Sequence, residues 1–191
     1  KKTNETYWLG SKLLDINNTG FGECVNSTYE VVLLLKEDES RSGLLSKVGY
    51  FISDWGEPRT PFRVRLYKNN EGVPGEEIIF GNLIAIAKSG GKWFDVDLSN
   101  YHIDFPGEGV FVGMEWLVMQ DEKYYYNIQF RYHPEEKAEK RRCFGQKLGV
   151  TYEYDKPLGW IRRNFKQWKP FVQNPHKKSI NNPMIRAEIK I

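Results

Sequence analysis

PFRVRLYKNNEGVPGEEI, residues 61–78, alternates apolar and charged side chains and then runs into a stretch built around Pro-Gly. Successive side chains of a strand point to opposite faces, so Phe62, Val64 and Leu66 fall on one side and Arg63, Arg65 and Tyr67 on the other. The pattern predicts a half-buried strand. Its continuation over Asn69–Gly75 reads as a surface connection fixed by Pro74 and Gly75.

The same period of two extends outward along the chain. YEVVLLLK (Tyr29–Lys36) is nearly continuous in apolar residues, as a central strand covered on both faces would be. LSKVGYFIS (Leu45–Ser53) reads as the next strand. EIIFGNLIAIAK (Glu77–Lys88) reads as one long strand bulged at Gly81. KWFDVDL turns Phe94, Val96 and Leu98 inward and Trp93, Asp95 and Asp97 outward. GVFVGMEWLVM carries Glu115 in its outward register. LGVTYEYDKPLGWIRRNF reads as a hairpin turning at Asp155–Gly159. PMIRAEIKI closes the chain with Ile185, Ala187, Ile189 and Ile191 on one face. HPEEKAEKRR (His133–Arg142) is the helix-like exception. It lacks an apolar stripe, which allows at most a short exposed helix. About ten strands with turn signals roughly every 8–12 residues predict an all-β fold. The expectation is one domain over residues 1–191, an antiparallel β-sandwich of jelly-roll type.

A chain of 191 residues can bury a core without disulfide staples. It contains no apolar run of about 18 residues, which argues against a membrane-spanning helix. The net charge of +3 hides an asymmetry: residues 1–136 hold 14 basic and 21 acidic side chains, residues 137–178 hold 12 and 3. The basic block reads as a polyanion-binding region or as a solvated segment lying against the acidic remainder. Cys24 and Cys143 have no CxxC spacing, which disfavours structural zinc. They pair if the protein is exported and the fold brings them together, and sequence decides neither. The opening KKTNETYW has no apolar leader, as in the mature or shortened form of an exported chain. Sequons at Asn4, Asn17 and Asn26 would mark surface loops in a eukaryotic secreted protein and are chance in a bacterial one.

KVGYFIS, then PFRVRLYKNNEGVPGEEI, then GGKWFDVDLSNYHIDFPGEGVFVGMEW together resemble the C-terminal portion of Bacteroidetes secreted or surface proteins known as carboxypeptidase-like regulatory domain-containing proteins. Shared are the strand FRVRxY, a PG loop, W-x-x-VDLS-x-Y-x-I and VGxEW, over Lys47 to about Trp116. The regulatory domain that precedes this portion in those proteins is not evident before Tyr29. The resemblance implies an exported sandwich domain at the cell surface. It implies no peptidase activity and brings no ligand.

The three histidines, His102, His133 and His176, stand far apart beside turns, without the HxH or HExxH spacing of a metal site. No GxSxG, CxxC or phosphate-binding glycine loop is present. No catalytic residue, metal or cofactor is assigned. Asp95 and Asp97 share a strand face, and Glu115 on a neighbouring strand would approach them. Paired carboxylates suit glycoside hydrolysis. A solvated charge ladder with Arg63 and Arg65 explains the same pattern. Trp93 in that register, with Trp55 in the preceding loop, suggests an aromatic platform for a sugar ring, with carboxylates and arginines for its hydroxyls; Trp93 packed at the sheet edge is the competing reading. In WIRRNFKQWKPF, Trp160, Arg162, Arg163, Phe165, Lys166, Trp168 and Lys169 interleave charge and aromatic surface that could stack and hold a polyanion; a strand with one buried aromatic face and one basic solvated face fits the alternation equally. For an exported protein an acidic polysaccharide fits that segment better than nucleic acid. The expected function is a non-catalytic binding or adhesion module for a glycan or peptide at the cell surface. Alternatives are a structural domain contacting protein partners only, and a hydrolase using Asp95, Asp97 or Glu115.

Overall fold

The computed structural model describes residues 5–12, 20–24, 27–37, 42–79, 81–131, 135–171 and 180–191. Among them the strands are β1 (Thr6–Gly10), β2 (Gly20–Glu23), β3 (Tyr29–Leu35), β4 (Gly43–Gly56), β5 (Phe62–Asn70), β6 (Val73–Glu77), β7 (Ile84–Ala85) and β8 (Lys92–Asp97). They continue with β9 (Ile103–Phe105), β10 (Val110–Trp116), β11 (Tyr125–Phe130), β12 (Glu139–Thr151), β13 (Gly159–Arg163), β14 (Lys169–Pro170), β15 (Asn182–Pro183) and β16 (Ile185–Lys190). Two single 3-10 turns, Ser99–Tyr101 and Glu122–Tyr124, are the helical pieces of the described residues. No helix among them is long and apolar enough to cross a membrane.

The strands pair antiparallel into two sheets. A nine-stranded sheet runs β1-β16-β4-β12-β11, with β8 and β9 on β4 and β2 and β15 on β12. A seven-stranded sheet runs β14-β13-β3-β10-β5-β6, with β7 on β5. The chain keeps changing sheets, at β2 to β3, β3 to β4, β4 to β5, β7 to β8, β9 to β10, β10 to β11, β12 to β13 and β14 to β15. That crossing makes the sandwich jelly-roll-like, as the strand pattern predicts.

The inner faces form one core. Val31, Leu33, Phe62, Val64, Leu66, Val112, Met114 and Trp116 come from one sheet; Val48, Tyr50, Ile52, Leu148, Ile185, Ala187 and Ile189 come from the other. Buried Tyr and Trp need partners for their polar ends, and Tyr50 and Trp116 find theirs on the facing sheet. The Tyr50 hydroxyl donates to the Gly113 carbonyl at 2.9 Å. Trp116 Nε1 donates to the Gln146 carbonyl at 2.7 Å. A disulfide joins Cys24, just past β2, to Cys143 in β12.

Four local expectations are corrected. The turn after FRVRLYKNN is made by Glu71 and Gly72, both at positive φ (52° and 88°), not by Pro74 and Gly75, which lie in β6. Asn70 pairs with Val73, so only two residues turn the hairpin, and two-residue hairpins favour positive φ at both positions. Glu77–Lys88 is not one strand: β6 ends at Glu77, and only Ile84 and Ala85 return to pair with β5. The segment after Thr151 is not a hairpin, because β12 and β13 belong to different sheets. Finally, Glu139–Arg142 continues β12 as strand, where Arg141 and Arg142 lie over the rings of Phe130 and Tyr125. The sequons at Asn4, Asn17 and Asn26 and the histidines 133 and 176 lie outside the described residues.

Candidate functional site

The residues singled out from the sequence divide between two opposite faces. Arg63, Arg65 and Glu115 stand on the outer face of the seven-stranded sheet. Trp93, Asp95 and Asp97 stand on the outer face of the nine-stranded one. Alternation assigns a side chain to a face of its strand but not to a sheet, and β8 turns out to pair with β4 rather than with β10.

On the seven-stranded sheet one row crosses four strands: Arg162, Glu30, Glu115, Arg63. The two central glutamates face each other and are only 2% and 1% exposed. Like charges opposed across strands repel, so each must be compensated locally. Arg63 Nη1 donates to both Glu115 oxygens at 2.9 Å, and Arg65 Nε adds a bond at 2.7 Å. Arg65 also pairs with Glu77. Glu30 accepts from Arg162 Nε at 2.9 Å and from the Tyr67 hydroxyl at 2.7 Å. Gly113 of β10 opposes Arg65 and Val32, and a Cβ there would meet Val32 Cγ1. Burial, then the Glu30 carboxylate, push the Tyr67 hydroxyl well above its usual range. Glu115 is therefore outward, as expected, but buried and closed by guanidiniums rather than solvated.

The polyanion candidates adjoin this network. Arg162 lies over Trp168 at 4.4 Å and Tyr67 at 5.2 Å from the ring centroids. Arg163 pairs with buried Glu23 at 3.1 Å and lies 4.5 Å over the Tyr29 ring. Both arginines are thus neutralised by carboxylates. Lys166 and Lys169 remain exposed, and Trp168 is half-buried.

The nine-stranded sheet carries a different arrangement. Arg186 in β16 has a glycine opposite it on both neighbours, Gly10 in β1 and Gly49 in β4. Across Gly49 lies Asp95 in β8. With no side chain in the way, Arg186 lies across β4 and donates from Nη2 to both Asp95 oxygens, at 2.9 and 3.0 Å. Its guanidinium sits 4.1 Å from the Trp8 ring centroid and 4.3 Å from that of Trp93. Trp93 is braced edge-on by Phe51 at 5.8 Å. In the adjoining row, Lys47 pairs with Glu188 at 2.9 Å. Burial pushes Glu188 up, but hydrogen bonds from Lys47 and Ser46 win and hold its carboxyl below the usual range. Asp97 accepts the Ser99 backbone N–H at 2.8 Å, and the Ser99 hydroxyl and that N–H hold it low as well.

Two fixed indoles supply apolar surface on this face, and Trp8 is 38% exposed. Against them, Arg186 forms its hydrogen bonds to described residues through Nη2, and its buried Nε has no hydrogen-bond partner among them. Asp97 and Lys47 border it. Trp55, at the end of β4, is 56% exposed, and no described contact joins it to this group. Trp8, Arg186, Glu30 and Tyr67 were missed from the sequence. The only signal for Arg186 was its place opposite the buried face of PMIRAEIKI. Among the described residues no three His, Cys, Asp or Glu side chains come together as a metal would require.

No protein-family model matches the chain, and no curated protein matches it. Among solved structures it is similar to the cysteine protease and lectin-like domains of Cwp84, a surface layer associated protein of Clostridium difficile, with 14% identity over 85% of this chain and 32% of that one, TM-score 0.45. It is also similar to the clostridial cysteine protease Cwp84 after propeptide cleavage, with 12% identity over 97% of this chain and 40% of that one, TM-score 0.48. The chain spans well under half the length of these structures, and similarity of this order carries no functional inference.

Proposed function

We propose that this chain is a non-catalytic binding module of an exported protein, holding a glycan on the Trp8–Arg186–Trp93 face. One observation carries the reading: a guanidinium that lies over two indoles and is held there by a carboxylate. Such a group combines a stacking surface for a pyranose ring with a charged hydrogen bond to its hydroxyls. The disulfide supports an oxidising compartment. The motif likeness to Bacteroidetes surface proteins supports a place at the cell surface. A glycan array probed with the intact chain tests the reading, followed by Trp93→Ala and Arg186→Ala on any hit. No hit on the array would end it.

A second reading, a structural domain that contacts only protein, is favoured by the other outer face, where every glutamate of the central row is closed by arginine. It predicts no glycan binding and a saturable protein partner. A hydrolase draws no support from the three carboxylates considered for it. A general acid must hold its proton near neutrality, whereas Asp97 is held low; Asp95 and Glu115 stand on opposite outer faces and so do not form a catalytic pair.

A further inference from the structure

The turn between β13 and β14 carries a local conflict. Asn164 and Phe165 both have positive φ, 50° and 55°. Lys166 N–H donates back to the Arg163 carbonyl at 3.0 Å, which closes a two-residue turn of the mirror-image type. Asn is at home in that conformation, but the next position normally takes glycine. A bulky residue there is a true outlier. Burial does not offset the strain, because Phe165 is 57% exposed, a larger fraction than any other exposed large hydrophobic of the described residues.

The surroundings hold the ring in place. Asn164 N–H donates to the Thr28 carbonyl at 2.9 Å, and the Thr28 hydroxyl donates to Asn164 Oδ1 at 3.3 Å. Arg163 is anchored to Glu23 and Tyr29. The Arg162 guanidinium lies 5.7 Å from the Phe165 centroid. Lys166 follows the ring in the turn and Lys169 opens β14 opposite Ile161; both are exposed, and neither forms an ion pair with a described residue. Strain retained at an exposed, rigid position points to a use in binding.

We propose that Phe165, Lys166 and Lys169 form a second binding site, for an anionic polysaccharide. The open side of the phenyl ring packs on a pyranose face. The two ammoniums, point charges without the fixed fork of arginine, follow carboxylates or sulfates spaced along the polymer. An open turn suits a repeating chain, since it encloses no terminal group. This site does not rest on the Trp8–Arg186–Trp93 reading and stands on the other sheet.

The test uses the intact chain with heparin and polygalacturonate as probes, at low and physiological salt. Wild type should bind at least one of them, more weakly as salt rises. Phe165→Gly should leave the melting temperature level or raise it, because glycine relieves the left-handed strain. It should also weaken binding by roughly tenfold or more, the loss of one stacking anchor. If Phe165→Gly does not fold, Phe165→Asn, which also tolerates this conformation, carries the test. Lys166→Ala with Lys169→Ala should remove the salt-sensitive part, while Trp93→Ala should change nothing. Wild-type affinity in the phenylalanine variant, or binding of neither polysaccharide by wild type, overturns the proposal. So does poly-glutamate binding without polysaccharide binding, which would assign the site to an acidic peptide.

Discussion

Gly49 stands directly opposite Arg186, and a Cβ at Gly49 would lie 2.8 Å from Arg186 Nε and 2.5 Å from Asp95 Oδ1. The missing side chain is what lets the arginine cross β4. Gly49→Ala is therefore expected to push the guanidinium off its indoles. Overpacking of this kind costs about 1–3 kcal/mol. Urea denaturation measures the cost, and tryptophan fluorescence should shift as Trp8 and Trp93 lose their shared cation.

Glu115 is the buried carboxylate with two guanidiniums on it. Glu115→Ala leaves Arg63 uncompensated and Arg65 with Glu77 alone, and breaking a buried pair from one side costs about 3–5 kcal/mol. Replacing Arg63 and Glu115 together by leucines should cost less than Glu115→Ala alone. Denaturation midpoints of the single and double variants decide between these outcomes.

The disulfide closes a separation of 119 residues. Chain-entropy reasoning assigns a loop of that size about 4–5 kcal/mol. Cys24→Ser with Cys143→Ser should lower stability by a sizeable part of that amount. The same loss should appear when wild type is unfolded with and without reductant.

Glu188 is held below its ordinary value near 4.5 by Lys47 and Ser46. A depressed carboxyl contributes stability that is present above its unfolded pKa and lost as pH falls through the folded one. Lys47 is raised by the Glu188 hydrogen bond, so its share holds below about 10.5 and is lost only at still higher pH. Acid titration of stability below pH 4.5 should flatten in Glu188→Gln, while stability at neutral pH falls modestly, as expected for a half-exposed pair. An unchanged acid limb in that variant counts against the assignment.

Strand alternation carried most of the architecture. Phe62, Val64 and Leu66 are core, and YEVVLLL is a central strand covered on both faces. What alternation cannot express is which sheet a strand joins. For that reason Trp93 and Arg63 were read together although the sandwich separates them. It also cannot distinguish a solvated outer face from one roofed by its own long side chains, so buried Glu115 read as a surface charge. Trp8 and Arg186 lie at opposite ends of the chain and meet only because β1 pairs with β16. Phe165 belongs to the aromatic-basic run legible in the sequence, but its strained turn has no periodic signature.

The most direct test of the central claim is titration of the best glycan-array hit into wild type and Arg186→Ala by calorimetry, with Lys68→Ala, exposed in β5, as a control on the other sheet. The account predicts affinity lowered at least roughly tenfold in Arg186→Ala, as for an anchor residue, and unchanged in the control. Equal affinity in wild type and in a folded Arg186→Ala would contradict it.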